Sequence, residues 1–192
     1  QAFIIVDENV TVNGNFEKVD EDGLPSGWYT DYYIDWEWQD QPEPIFEVTE
    51  NGASIHNPAA LDARFAQQVS VEPDAMYCLK GKIRANAQGG LGANLSVDGV
   101  YAFSPSVFQA EDEWQEVALY GRTGPEQTSV IVYARLGGYG GESTGHALFQ
   151  DLSFTRISQV PDGEMVHNFF IPQPFLEDNA PEGNESNSNL PS

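Results

Sequence analysis

Basic residues are scarce. Eight Lys and Arg face thirty Asp and Glu across 192 residues, a formal net charge of −22 and an isoelectric point near 4.1. That balance argues against nucleic acid or an anionic membrane surface as a partner, because both need a basic footprint. It favours solubility, cation binding or an extracellular setting. Cysteine is reduced to Cys78, so no internal disulfide framework exists. Its setting, Met76-Tyr77-Cys78-Leu79, reads as a strand holding a buried, inert thiol. No apolar run approaches the ~20 residues of a membrane-spanning helix. A sustained 3.6-residue period with caps is missing too, and a short helical turn over 58–63 is the most the pattern allows. No internal repeat is visible. The first residue is Gln1 rather than Met, which reads as a mature or trimmed piece of a longer protein.

Strand signals fill what remains. Short runs of β-formers fall at 3–6, 45–49, 53–56, 66–71, 77–85, 93–97, 114–120, 129–136 and 147–157. Turn formers separate them, among them Glu72-Pro73-Asp74, Gln88-Gly89-Gly90, Asp98-Gly99, Thr123-Gly124-Pro125 and Gly137-Gly138-Tyr139-Gly140-Gly141. Many short strands without interleaved helices indicate an all-β sandwich or barrel. Alternation assigns faces. Val130, Val132, Ala134 and Leu136 point one way, and Ile131, Tyr133 and Arg135 the other. Leu95 and Val97 point to the core, with Asn94 and Ser96 away from it.

From about residue 158 the composition changes. A segment over 158–176 contains the apolar Val166-His167-Asn168-Phe169-Phe170-Ile171, which is expected to pack on the sandwich or on a following domain. Residues 177–192 carry four acids, no base and many Asn and Ser, and read as a solvated linker.

A series of motifs then appears in order. It runs Asn13-Gly14-Asn15-Phe16-Glu17, Leu24-Pro25-Ser26-Gly27-Trp28, Val69-Ser70-Val71-Glu72-Pro73-Asp74, a strand from Met76 to Ala85, Trp114-Gln115-Glu116-Val117, and Phe149-Gln150-Asp151-Leu152-Ser153. Together they resemble the jelly-roll carbohydrate-binding modules of galactose-binding-like fold found on bacterial extracellular and membrane proteins. The resemblance covers roughly 10–157. It implies a jelly-roll β-sandwich of two antiparallel sheets over 1–157 and a secreted or bacterial cell-surface setting. It also implies a polysaccharide or cell-surface glycan as partner and attachment to a larger parent protein. A structural calcium commonly joins the first and last strands of that family. Carried over, its ligands here are Glu17 and Asp151, with backbone carbonyls completing a shell of about 6–8 oxygens. Gln150 stands where the family often has another acid.

Sugar rings need flat aromatic faces with polar groups around them. The segment from Tyr29 to Trp38 supplies five aromatics interleaved with acids, including Tyr32, Trp36 and Trp38. If extended, it puts Trp36 and Trp38 on one face. Ordinary packing is an equal reading of these two. Trp28 and Trp114 read as structural. Lys80, Lys82 and Arg84 alternate on one strand and Arg135 sits with Tyr133 on another. If those strands are neighbours, they form a basic groove suited to an acidic glycan. The competing reading, that these bases pair with nearby carboxylates, is the stronger. Asn94, Tyr101 and Tyr139 complete the candidate ligand set. No nucleophile motif or zinc spacing accompanies His56, His146 and His167. A non-catalytic binding domain is therefore expected, and a spacer or interaction domain without a glycan ligand is the alternative.

Overall fold

The computed structural model describes residues 8–172. Ten strands form two sheets: β1 (Tyr29–Tyr32), β2 (Ile45–Thr49), β3 (Gly52–Leu61), β4 (Ala63–Ser70), β5 (Met76–Gln88), β6 (Ala93–Val97), β7 (Gln109–Arg122), β8 (Ser129–Leu136), β9 (Ser143–Ile157) and β10 (Val166–Asn168). One sheet has the order β1-β4-β8-β6 and the other β10-β7-β5-β9-β3-β2. All pairings between these strands are antiparallel except β10 on β7, which is parallel. The chain is thus an all-β jelly-roll sandwich. The expected strands at 45–49, 93–97 and 129–136 match β2, β6 and β8. The stretch 58–63 is extended rather than helical, because it ends β3 and opens β4, with Leu61 paired to Ser143 on β9 and Ala63 to Leu136 on β8. The expected strand at 3–6 and the 177–192 tail lie outside the described residues.

The core is the layer between the sheets. Phe65, Leu79, Ile83, Leu95, Val132, Phe149 and Phe154 are fully enclosed there. Removing such side chains from water is the main stabilising term. Phe16 and Trp28 close one end, with ring centroids 5.2 Å apart. Their position depends on Asn13, whose backbone is left-handed at φ 51°. Its side-chain amide donates to the carbonyls of Lys18 and Ser26 at 2.8 Å each. The Trp28 indole donates to the Asn13 carbonyl at 3.1 Å. The two N-terminal motifs therefore act as one folded unit.

The ends of the fold meet at β9. Residues 8–14 run beside the C-terminal half of that strand, with bonds from Val10 N to Phe154 O and from Leu152 N to Gly14 O, both 2.9 Å. A Cβ on Gly14 would lie 2.0 Å from the Leu152 oxygen, so glycine is required for this approach. At the other edge, Phe169 is buried against Phe154, centroids 5.7 Å apart.

Candidate functional site

The outer face of the four-stranded sheet carries the chemistry. Register places Asp31, Arg64, Arg135 and Asn94 in one row across β1, β4, β8 and β6. Tyr29, Ala66, Tyr133 and Ser96 form the next row. Such a face would ordinarily be solvated. Here Arg135 is 0% exposed and Tyr133 4%, because two loops fold over them. Residues 103–107 run along the free edge of β6, bridging Ser96 to Phe103 and Ala93 to Val107. The glycine-rich turn after β8 brings Tyr139 over Arg135. Gly137 has φ 97°, and a Cβ there would meet the Leu61 oxygen at 2.4 Å, so only glycine lets the chain turn so sharply.

These loops assemble a ring cluster over a buried guanidinium. Arg135 lies 4.6 Å from the Tyr139 ring centroid, 5.1 Å from Tyr133 and 5.6 Å from Phe103. Tyr101 meets Phe103 edge-on at 4.9 Å and lies near-parallel to Tyr139 at 6.3 Å. The Tyr139 hydroxyl accepts from Gly99 N. Tyr101 remains 70% exposed, and Tyr139, Tyr29 and Tyr33 present large open surfaces. The face thus offers exposed rings on a rigid base, the combination that apolar sugar faces need.

Charges under the rings form a closed network. Asp62 accepts from Arg135 Nε at 2.8 Å and from Nη2 at 2.7 Å, and is 3.4 Å from Arg64 Nη1. Arg64 also donates to Asp31 at 2.6 Å and covers the Tyr133 ring at 5.1 Å. Burial alone would lower the Arg64 pKa, but the Asp62 and Asp31 carboxylates carry it above the ordinary value. The Tyr133 hydroxyl donates to Asp98 at 2.7 Å. Burial first, then that bond, push its pKa well above that of a free tyrosine.

Trp36 is 89% exposed and Trp38 38%. They do not sit on an extended strand: residues 36–40 are a turn, with Trp38 N donating to Asp35 O at 2.9 Å. Trp38 lines a cavity of about 210 Å³ with Tyr33, Asp35, Gln41, Asp62 and Glu142.

Five expected ligand contacts are corrected. Tyr32 packs against the core, because β1 alternation sends it inward. Asn94 is 0% exposed, and its amide is tied to the carbonyls of Gly92 and Gly137. Arg135 is equally enclosed, so both support the face and cannot touch a ligand. Lys82 and Arg84 are on β5, in the opposite sheet from Arg135, and the basic groove does not form. Lys82 pairs with Asp151 at 3.3 Å, and Arg84 stacks over Trp114 at 4.6 Å. Trp36, Trp38, Tyr101 and Tyr139 are all open to solvent. Asp62 and Arg64 carry no local sequence signal of a site beyond the alternation around Arg64 in Ala63-Arg64-Phe65-Ala66, and Asp98 reads only as part of a turn.

The junction of the terminal segments is lined by oxygen-bearing side chains. Glu17, Glu50, Gln150 and Asp151 line a cleft of about 240 Å³ with Asn15 and Thr49. Every side chain named offers oxygen, and Asp151 is held left-handed at φ 55°. Among the described residues no group of three or more His, Cys, Asp or Glu is gathered to grip a metal. Backbone carbonyls and water would therefore supply most of a calcium shell, and Lys82 would compete for Asp151.

No family model matches the chain, and no curated relative matches it. Solved structures do. A protein from Bacteroides thetaiotaomicron, provisionally named a sugar binding protein, aligns at TM-score 0.50 and 11% identity over 78% of this chain and 100% of that one. The enzymatically active domain of tailspike protein 4 from bacteriophage CBA120 aligns at 0.50 and 12%, over 78% of this chain and 21% of that one. A family 61 carbohydrate-binding module solved with β-1,4-galactotriose aligns at 0.49 and 14%, over 78% and 99%. At these identities the two likenesses at TM-score 0.50 show the sandwich fold alone. Among the described residues no helix is long and apolar enough to cross a membrane.

Proposed function

We propose that this chain is a non-catalytic carbohydrate-binding domain of a secreted or bacterial cell-surface protein. Its proposed ligand surface is the outer face of the four-stranded sheet. The observation that carries the reading is the set of open rings, Tyr29, Tyr101 and Tyr139, on the face that covers the buried Asp62–Arg135 pair. Rings held rigid before binding lose little entropy on meeting a sugar. Asp31 and Asp98 supply acceptors beside them. The sugar-binding name of the Bacteroides neighbour supports the same reading. Calcium is proposed at the junction of the terminal segments, held by Glu17 and Asp151 with backbone carbonyls, where it would fix strand ends and take no part in recognition.

The test is a glycan array with the wild-type domain, Tyr101→Ala/Tyr139→Ala and Trp36→Ala/Trp38→Ala, each checked for intact folding. The double tyrosine variant is expected to lose at least tenfold in affinity, about 1.4 kcal/mol. Absence of binding to every glycan by the wild-type domain would sink the reading in favour of a spacer or interaction domain.

A further inference from the structure

Two arginines lie beneath the ring-lined face, and on sequence alone they invite an acidic sugar. The fold uses both internally. Arg135 is fully enclosed and gripped by both oxygens of Asp62. Arg64 is held between Asp31 and Asp62, with 14% of its side chain exposed. The remaining six bases of the chain are elsewhere. Lys80, Lys82, Arg84, Arg122 and Arg156 belong to β5, β7 and β9 of the opposite sheet. Lys18 lines a cleft of the N-terminal segment beside Asp151.

Exposed charge on the face is of the other sign. Asp98 is exposed, and its carboxylate takes a single bond from Tyr133. Asp31 leaves 47% of its side chain open. Asp35 and Glu142 line the Trp38 cavity with Asp62. The Tyr29 hydroxyl, raised by partial burial and then by Asp31 and Asp98, reports the same negative field. An entering carboxylate or sulfate would meet these acids with no free Lys or Arg on the face among the described residues to receive it, and a desolvated unpaired charge is costly. A sugar hydroxyl, by contrast, can donate to Asp31 and Asp98.

We infer that the ring-lined face selects uncharged glycans and rejects those bearing uronate, sulfate or phosphate groups. This rests on the carbohydrate-binding reading above, and the experiment separates the two. Affinity is measured at pH 7 for soluble galactan, xylan and galactomannan, and for polygalacturonate and alginate, in salt from about 10 mM to about 1 M. Across that range the Debye length falls from about 30 to about 3 Å.

Binding to at least one neutral polymer with little salt dependence is expected. The anionic polymers are expected to bind at least tenfold more weakly at low salt, any residual binding strengthening as salt screens repulsion. Tight binding to polygalacturonate or alginate that weakens with salt overturns the inference while leaving carbohydrate binding in place. No binding to any of the five overturns the carbohydrate reading itself. Asp98→Asn adds an independent check: the preference for neutral over anionic polymers should narrow, and an unchanged ratio counts against the field argument.

Discussion

Replacing Asp62 with alanine removes the carboxylate that grips Arg135 and also faces Arg64. Arg135 is 0% exposed and Asp62 has 4% of its side chain exposed, with N···O distances of 2.7 and 2.8 Å. Among the described residues no second carboxylate pairs with Arg135, so the guanidinium is left without a counter-ion. Its remaining side-chain bond is to Ser96 Oγ at 3.3 Å. Breaking a buried pair from one side costs about 3–5 kcal/mol. For a domain of this size each kcal/mol moves the melting midpoint by about 2–4 °C, giving a fall of roughly 6–20 °C. Urea unfolding followed by tryptophan fluorescence measures the free energy directly, and a thermal scan gives the midpoint. The double variant Asp62→Leu/Arg135→Met replaces both charges with apolar groups and should recover at least half of the loss. Because Tyr139 and Phe103 rest on the guanidinium, the single variant should also lose ligand affinity. A loss below about 1 kcal/mol for Asp62→Ala would refute the reasoning, since it would mean that water or another group satisfies Arg135.

Calcium added to chelator-treated protein should raise the midpoint, by about 2.7 kcal/mol of stability at one hundred times its dissociation constant. Glu17→Gln should abolish most of that gain, and a midpoint indifferent to both calcium and chelator would remove the cation from the account. Gly121→Ala should loosen the C-terminal segment at a cost of about 1–3 kcal/mol. Its Cβ would fall 2.4–2.7 Å from the Phe169 ring, and limited proteolysis would show faster cleavage after residue 158. Burial, and then the bond to Asp98, raise the Tyr133 pKa above that of a free tyrosine, about 10, so its contribution to stability is complete below about pH 10. It declines above pH 10, as the unfolded chain releases a proton that the folded one retains. Tyr133→Phe should cost about 1 kcal/mol at neutral pH through the lost bond to Asp98 and should flatten that alkaline decline. An unchanged decline would place its origin in other groups.

Much of the sandwich could be read from the chain. β2, β6 and β8 are strands whose alternation or β-rich runs are self-evident, and turn residues bound them. β1 and β10 carry no strand signal of their own in the sequence. Their sequences, Tyr-Thr-Asp-Tyr and Val-His-Asn, are too short to show a period and become strands by pairing with β4 and β7. The site was legible only in residue types. Trp36 and Trp38 stand out in the sequence as aromatics among acids, yet their presentation comes from a turn rather than from strand alternation. His56 and His146 look isolated along the chain, and the register sets them directly opposite one another on β3 and β9.

Composition, charge and turn chemistry are local or summed properties, so the sequence by itself determined an acidic, disulfide-free β-sandwich with a glycine-hinged, aromatic rim. Which sheet each strand entered depended on pairings between residues up to about a hundred positions apart, and local signals do not encode those. The tertiary structure therefore decided that Arg135 belongs with Asp62 under a roof of rings. It also set Lys82 and Arg84 on the opposite sheet and left the open face of the rings bordered by carboxylates. Burial turned an outward-pointing arginine into a support, because a charge removed from water must take its partner from whatever the fold brings near.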